Sequence, residues 1–349
     1  MQGLFSFAQG SRKITLPRVR LALTPTPLEP LETTSDRLGF FLSAKRDDLT
    51  GLALGGNKIR QLEYYFGAAR EQGATTMLVT GAIQSNYTRA VAAACARLGM
   101  RCHVQLENRV PGMSSDAYRD SGNVLLTRLY GAEVTYFAGA DDEVAADKAI
   151  HAVANRLRNA GEVPYHISLK ADSAPLGSVG YLHAAQELLE QQPDTTHVVL
   201  ASGSGQTQAG LLTGLRMLGS GARVFGVSVR RAPGAQRARV LSYCHTLSAM
   251  LGVEPVVQES DVQVFEGNLN TGYGLPEDGL MDFLLGAMRR EGLLLDPVYT
   301  GKAFAAIPRL KEQGYFSPQA RVVFLHTGGL PALFAYGPEF LSRLNRIDA

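Results

Sequence analysis

Between residues 77 and 229 short apolar runs alternate with helical patterns, and that rhythm narrows the architecture more than any other feature of the chain. Met77-Leu78-Val79, Cys102–Leu106, Glu133–Phe137, Tyr165–Leu169, Val198–Leu200 and Val224–Val229 read as strands. Helices are predicted between them at Asn86–Leu98, Tyr118–Leu129, Asp141–Asn159, 178–191 and 207–218. Asn86 is a capping residue and Gly99 a stop, while Arg156 and Arg158 near the end of 141–159 complement the helix dipole. Strands alternating with helices argue for parallel sheets wrapped by helices, hence the α/β class. Outside this core, Phe40–Ala44 reads as a strand and a helix is expected from Lys58 to near Gly73. Further helices fall at 235–250, 278–291, 301–313 and from Gly329, with a strand at Val322–Leu325. The proline-rich stretch 21–34 predicts an extended arm, and 253–277 carries few signals.

A chain of 349 residues exceeds one ordinary domain, so two are expected. With 45% hydrophobic and 19% charged residues it has the composition of a folded soluble protein. A formal net charge of +2 and dispersed Lys and Arg, with no basic run longer than Arg230-Arg231 and its like, argue against nucleic acid as a partner. The cysteines, Cys95, Cys102 and Cys244, are odd in number and form no CxxC pair, which fits a reducing compartment. Met1–Arg20 lacks the apolar core of a signal peptide, and no window reaches the length of a membrane span, so a cytoplasmic protein is expected.

The candidate chemistry sits in strand-to-helix loops, where α/β sheets place ligands. In Gly55-Gly56-Asn57-Lys58 a lysine follows a glycine bend and opens a helix. A desolvated amine near the positive end of a helix dipole loses its proton more readily, the condition for a Schiff-base nucleophile. Thr80–Tyr87 leads into a helix through Ser85 and Asn86, which either cap it or receive a carboxylate or phenolic oxygen. Ser202-Gly203-Ser204-Gly205-Gln206-Thr207 exposes successive backbone amides to a phosphate. It is a poor dinucleotide fingerprint, because Gln208 stands at the third glycine position. The lysine bend is no P-loop either: Asn57 intrudes before Lys58 and Ile59 replaces the hydroxyl. Asp296–Lys302 puts Tyr299 and Thr300 at another helix start, with His326–Gly329 as a late companion. No metal is expected, since the histidines form no i, i+4 pair. A reactive lysine, a phosphate cradle and loops bearing hydroxyls together suggest pyridoxal 5'-phosphate.

These segments, together with Pro25–Leu31 and Lys45–Gly51, resemble the fold-type II pyridoxal phosphate enzymes, in the branch of D-cysteine desulfhydrase and 1-aminocyclopropane-1-carboxylate deaminase. The resemblance covers most of the chain. It implies a large domain (1–60 with 176–349), a smaller one inserted in it (61–175), the cofactor in the cleft between, and a homodimer. It implies that Lys58 forms the Schiff base and moves the Cα proton. Asn86 would bond the cofactor's 3′ oxygen, Ser85 with its loop would hold the substrate carboxylate, with Asn86 and Tyr87 also in the substrate site, and Ser204, Gly205, Gln206 and Thr207 would hold the phosphate. Tyr273 and Tyr299 match the two active-site tyrosines. Thr300 stands where the deaminase has the glutamate that protonates the pyridine nitrogen. An alcohol there leaves the ring neutral, a shallower electron sink that suffices when a good leaving group departs from Cβ. The expected reaction is therefore β-elimination from a small β-substituted amino acid, with D-cysteine first. Cyclopropane-amino-acid deamination is the alternative, and binding without turnover a further one. Two residues depart from the branch: Gln61 replaces a basic residue, and Tyr87 replaces the desulfhydrase's histidine.

Overall fold

The computed structural model describes the chain except residues 1, 10, 11, 111, 140, 141, 169, 171, 172, 268–271, 276, 348 and 349. Strands β1 (Gln2–Gln9) and β2 (Arg12–Val19) form an antiparallel hairpin. The larger sheet contains β3 (Leu28–Pro30), β4 (Phe41–Lys45), β9 (His197–Ser202), β10 (Arg223–Ser228), β11 (Val262–Glu266) and β12 (Arg321–Leu325). Their order is β11-β10-β9-β12-β4-β3, and every pairing is parallel except β3 with β4. The smaller sheet is wholly parallel, in the order β7 (Glu133–Phe137), β6 (Arg101–Glu107), β5 (Thr76–Ala82), β8 (Pro164–His166).

The central strands are apolar throughout because helices cover both faces. Successive side chains of a strand point to opposite faces. Val198, Leu200 and Val224 accordingly pack with Tyr181, Leu212 and Tyr243, whereas Val199, Phe225 and Val227 pack with Leu284, Phe304 and Ile307. In the smaller sheet Met77 and Val79 join the cluster of Ile59, Phe66 and Val91, and Leu78 faces Ile150 and Ala154.

Several stretches differ from the reading of the sequence. The predicted 118–129 helix is two helices, Asp116–Asp120 and Gly122–Leu129, broken by extended Ser121. Gln84 stitches the break, donating to the carbonyls of Tyr118 (2.6 Å) and Ser121 (3.1 Å) and accepting from the Asn123 amide (2.9 Å). Long-range bonds thus override local helix preference, a signal absent from periodicity. Residues 253–277 contain edge strand β11, and the arm at 21–34 includes β3 and enters the helix Glu32–Leu38. The strand expected at Tyr165–Leu169 is Pro164–His166; Leu169 lies outside the described residues. The helix Asn57–Glu71 runs unbroken across residues 60 and 61. The carboxyl ends of β4, β9 and β12 meet that of β5 across a cleft, where connecting loops gather a ligand site.

Candidate active site

The bend before Lys58 is fixed on several sides. Gly55 has φ 67°, and a Cβ there would lie 1.9 Å from the Asp48 carbonyl oxygen, so only glycine fits. The Gly56 amide donates to the Asp47 carbonyl (3.0 Å), the Asn57 amide to the Thr327 carbonyl (3.0 Å), and Arg89 Nη2 to the Gly55 carbonyl (2.9 Å). Beneath the bend, Arg60 grips Asp47 at 2.8 and 2.9 Å and Glu187 at 3.0 Å, and Tyr181 donates to Asp47 (2.6 Å). Lys45 also pairs with Glu187, so two cations and two carboxylates neutralise one another. Such a buried set is justified only when its polar atoms are bonded, as they are here.

Lys58, half-buried in the first helical turn, lines the cleft with no ion-pair partner among the described residues. Burial lowers its amine to about 8. The cause is desolvation, which penalises the ammonium form. Its Nζ lies 5.7 Å from the centre of the Tyr87 ring, whose buried hydroxyl has no partner.

Ser85 is the cap of Asn86–Leu98: Oγ accepts from the amides of Tyr87 (3.2 Å) and Thr88 (3.3 Å). With both lone pairs taken, its remaining hydrogen is a donor to the cleft it lines. Asn86, half-buried on the same wall, accepts from Arg89 Nη1 (3.1 Å) through Oδ1.

At the Ser202–Thr207 loop the helix start has no side-chain cap, and Gly205 adopts φ 95° there. Ser204, Gly205 and Thr207 line the cleft; the Gln206 side chain turns inward to exchange hydrogen bonds with Tyr65. Gln206 can therefore offer a phosphate its backbone only. Gln61, also buried, stands behind Thr207. Tyr273 and Tyr299 meet hydroxyl to hydroxyl with ring centres 6.1 Å apart, and desolvation raises both phenols above their ordinary range.

Thr300 does not take the place expected of it. It is fully buried and absent from the cleft wall, with its hydroxyl donating to Asp296 Oδ1 (2.7 Å) and accepting from the Asp296 amide (3.0 Å). Asp296 caps this helix start, also accepting from the amides of Val298, Tyr299 and Thr300 at 2.8–2.9 Å, and the threonine completes that cap. Thr327, beside Gly328, does line the cleft with an alcohol.

The sequence reading also passed over the basic lining: Arg109, Lys170, Arg230, Arg231 and Arg239. Arg231 Nη1 donates to the Gly203 carbonyl (3.0 Å) and Arg239 Nε to that of Ser204 (2.8 Å), bracing the loop. Arg230 and Arg231 follow the carboxyl end of β10, a position that would have revealed them. The described acids of the lining, Glu107 and Asp147, are paired with Arg109 and Lys170. The fold gathers Asp147, His151 and His166 with donor atoms within 4.8 Å, a grouping that sequence spacing conceals. Lys170 occupies that carboxylate at 2.5 Å.

The family model described as pyridoxal-phosphate dependent enzyme matches residues 19–328. The chain is 39% identical over 326 residues to D-cysteine desulfhydrase of Salmonella choleraesuis (strain SC-B67), covering 93% of this chain and 97% of that one. It is 38% identical over the same span to the Salmonella typhi protein of that name, with the same coverage. The crystal structure of an ACC deaminase homologue superposes with TM-score 0.84 at 32% identity, over 94% of this chain and 96% of the other. O-ureido-L-serine synthase, at 16% identity and TM-score 0.63 over 89% of this chain and 92% of that one, shares the fold. Matched along nearly its whole length, and with Lys58 lining its cleft, the chain belongs to the pyridoxal-phosphate dependent enzymes, in the family of the D-cysteine desulfhydrases and ACC deaminases.

Proposed function

We propose that this enzyme is a carbon–sulfur lyase that converts D-cysteine and water to pyruvate, ammonia and sulfide. One observation carries the reading. Lys58 shares its cleft with a tyrosine pair, and the described carboxylates of that cleft are both held by basic partners. On the Thr327 wall the lining offers an alcohol, the environment suited to β-elimination.

The residues fit pyridoxal phosphate. Thr207 and Ser85 have hydroxyl hydrogens with no described protein acceptor, and the helix start behind Gly205 is uncapped. A Cβ on Gly328 would lie 2.7 Å from Gly56 Cα, so the wall there admits no side chain. Ser204, Gly205, the Gln206 backbone and Thr207 would hold the phosphate, Asn86 would bond the ring oxygen, and Thr327 would offer the ring an alcohol. When bound, the cofactor supplies the carbonyl that captures the substrate amine and the ring that acidifies its Cα–H.

The chain's own groups do the rest. Lys58 Nζ, with its amine near 8, is partly unprotonated at neutral pH and takes the Cα proton. Ser85 Oγ donates to the substrate carboxylate, and Tyr87 closes the pocket beside it. Tyr299 and Tyr273, protonated at neutral pH because desolvation raises both, pass a proton to the departing sulfur. We place the large domain at 1–60 with 176–349 and the small one at 61–175. The working form is a cytoplasmic homodimer, which sedimentation will test.

Supplying D-cysteine should give pyruvate and sulfide in equal amounts, and Lys58→Ala should lower that rate by about 10³-fold or more. Efficient 2-oxobutyrate release from 1-aminocyclopropane-1-carboxylate would move the assignment to the deaminase. A cofactor-loaded chain inert toward β-substituted amino acids of either hand would leave binding alone.

A further inference from the structure

Thr207 Oγ1 accepts two hydrogen bonds, from Asn57 Nδ2 and Gln61 Nε2, both at 2.8 Å. A hydroxyl has two acceptor positions and one hydrogen. With both positions filled, the hydrogen must leave on the remaining side. Thr207 is 4% exposed, lines the cleft at the uncapped helix start, and donates to no described protein acceptor. Gln61 is fully buried, is not part of the cleft wall, and therefore acts through Thr207.

We infer that Gln61, with Asn57, is a positioning residue that fixes Thr207 as a hydrogen-bond donor to the cofactor phosphate. The inference rests on the assignment of the Ser202–Thr207 loop to that phosphate. It also accounts for the neutral residue at 61, where the resemblance leads one to expect a cation. A buried amide orients a neighbour without placing a charge in the wall, while Arg231 and Arg239 brace the same loop from outside. The opposite amide orientation would make Oε1 the acceptor, draw the Thr207 hydrogen inward and leave the phosphate without it. Gln61→Glu imposes that second state, because a carboxylate only accepts.

The test measures equilibrium affinity for pyridoxal phosphate by fluorescence titration of the reduced-salt, cofactor-stripped enzyme, with the ³¹P resonance of the bound cofactor as a second readout. Thr207→Val should weaken binding about 10- to 100-fold, the range of one charge-assisted hydrogen bond. Gln61→Leu should weaken it about 3- to 10-fold by freeing the hydroxyl to rotate, and Gln61→Glu about 100-fold. Gln61→Lys keeps an N–H donor and should stay within about threefold of the wild type. Adding Gln61→Leu to Thr207→Val should change neither affinity nor the ³¹P shift further, since the group it orients is gone. Melting of each cofactor-free variant reports folding separately. Equal losses from Gln61→Leu with and without Thr207, or no loss at all, overturn the inference while the cofactor assignment stands. A wild-type chain with no affinity for pyridoxal phosphate overturns both.

Discussion

Two helix starts facing the same cleft, at Ser85 and at Gly205, look alike in the sequence and are built for opposite purposes. Each follows a strand, carries glycine and small polar residues, and opens a helix of twelve or thirteen residues. At the first, Ser85 satisfies two backbone amides from within. At the second, glycine occupies the cap and no described residue supplies a side-chain cap. A helix leaves four amides unsatisfied at its start, so a start without a cap is open to an anion and a capped one contributes mainly rigidity. Asp296 repeats the first solution at Tyr299 and Thr300, which explains why Thr300 faces inward.

Closing the open start is the severest way to break this contrast. Gly205→Asp would place a carboxylate where the phosphate binds and supply a cap from the chain itself. Its Cβ would also come within 3.3 Å of Val240 Cγ2 at φ 95°. Cofactor affinity should fall by about 100-fold or more, from like-charge repulsion and loss of the free amides. Undiminished binding in a dialysis experiment would mean the anion is held elsewhere.

How far this was legible in the sequence follows the same line. Strand and helix identity came through because buried parallel strands are apolar along their whole length, and Asn86–Leu98 and 278–291 have the limits their patterns predict. Lys58, Ser85, Asn86, Tyr273 and Tyr299 all line one cleft, as expected of loops at strand ends. Side-chain direction was not legible. Gln206 and Thr300 sit beside cleft residues yet point away, because their polar atoms find partners in Tyr65 and Asp296, remote or local bonds that spacing does not encode. Thr327 was legible only as part of the companion loop His326–Gly329, since its place in the cleft depends on β12 lying beside β4.

The lysine wall sharpens the comparison through pH. Because burial lowers the Lys58 amine from its ordinary 10.5 to about 8, the nucleophilic free amine is the minority form below that pH. The rate at which cofactor-free enzyme takes up pyridoxal phosphate should rise roughly tenfold per unit below pH 8 and level off above it. An exposed lysine would keep rising to about 10.5. A stopped-flow pH series distinguishes the two, and a plateau beyond pH 10 would remove burial as the activating influence.

The mildest change probes the capped start. In Ser85→Ala the Tyr87 and Thr88 amides lose their acceptor, and loss of a serine cap costs about 1 kcal/mol of stability. For a chain of this size that lowers the melting temperature of the cofactor-free protein by roughly 2 °C. Cofactor affinity should hardly move, because Ser85 follows β5 of the smaller sheet whereas the phosphate loop follows β9 of the larger one, but the Michaelis constant should rise through the lost donor to the substrate carboxylate. The signature is a split: lower stability and weaker substrate capture with cofactor binding intact, the reverse of what Thr207→Val should do at the uncapped start. If Ser85→Ala instead weakened the cofactor as much as Thr207→Val does, the two starts would be equivalent, and the division between a helix that caps itself and one that waits for a ligand would have no energetic content.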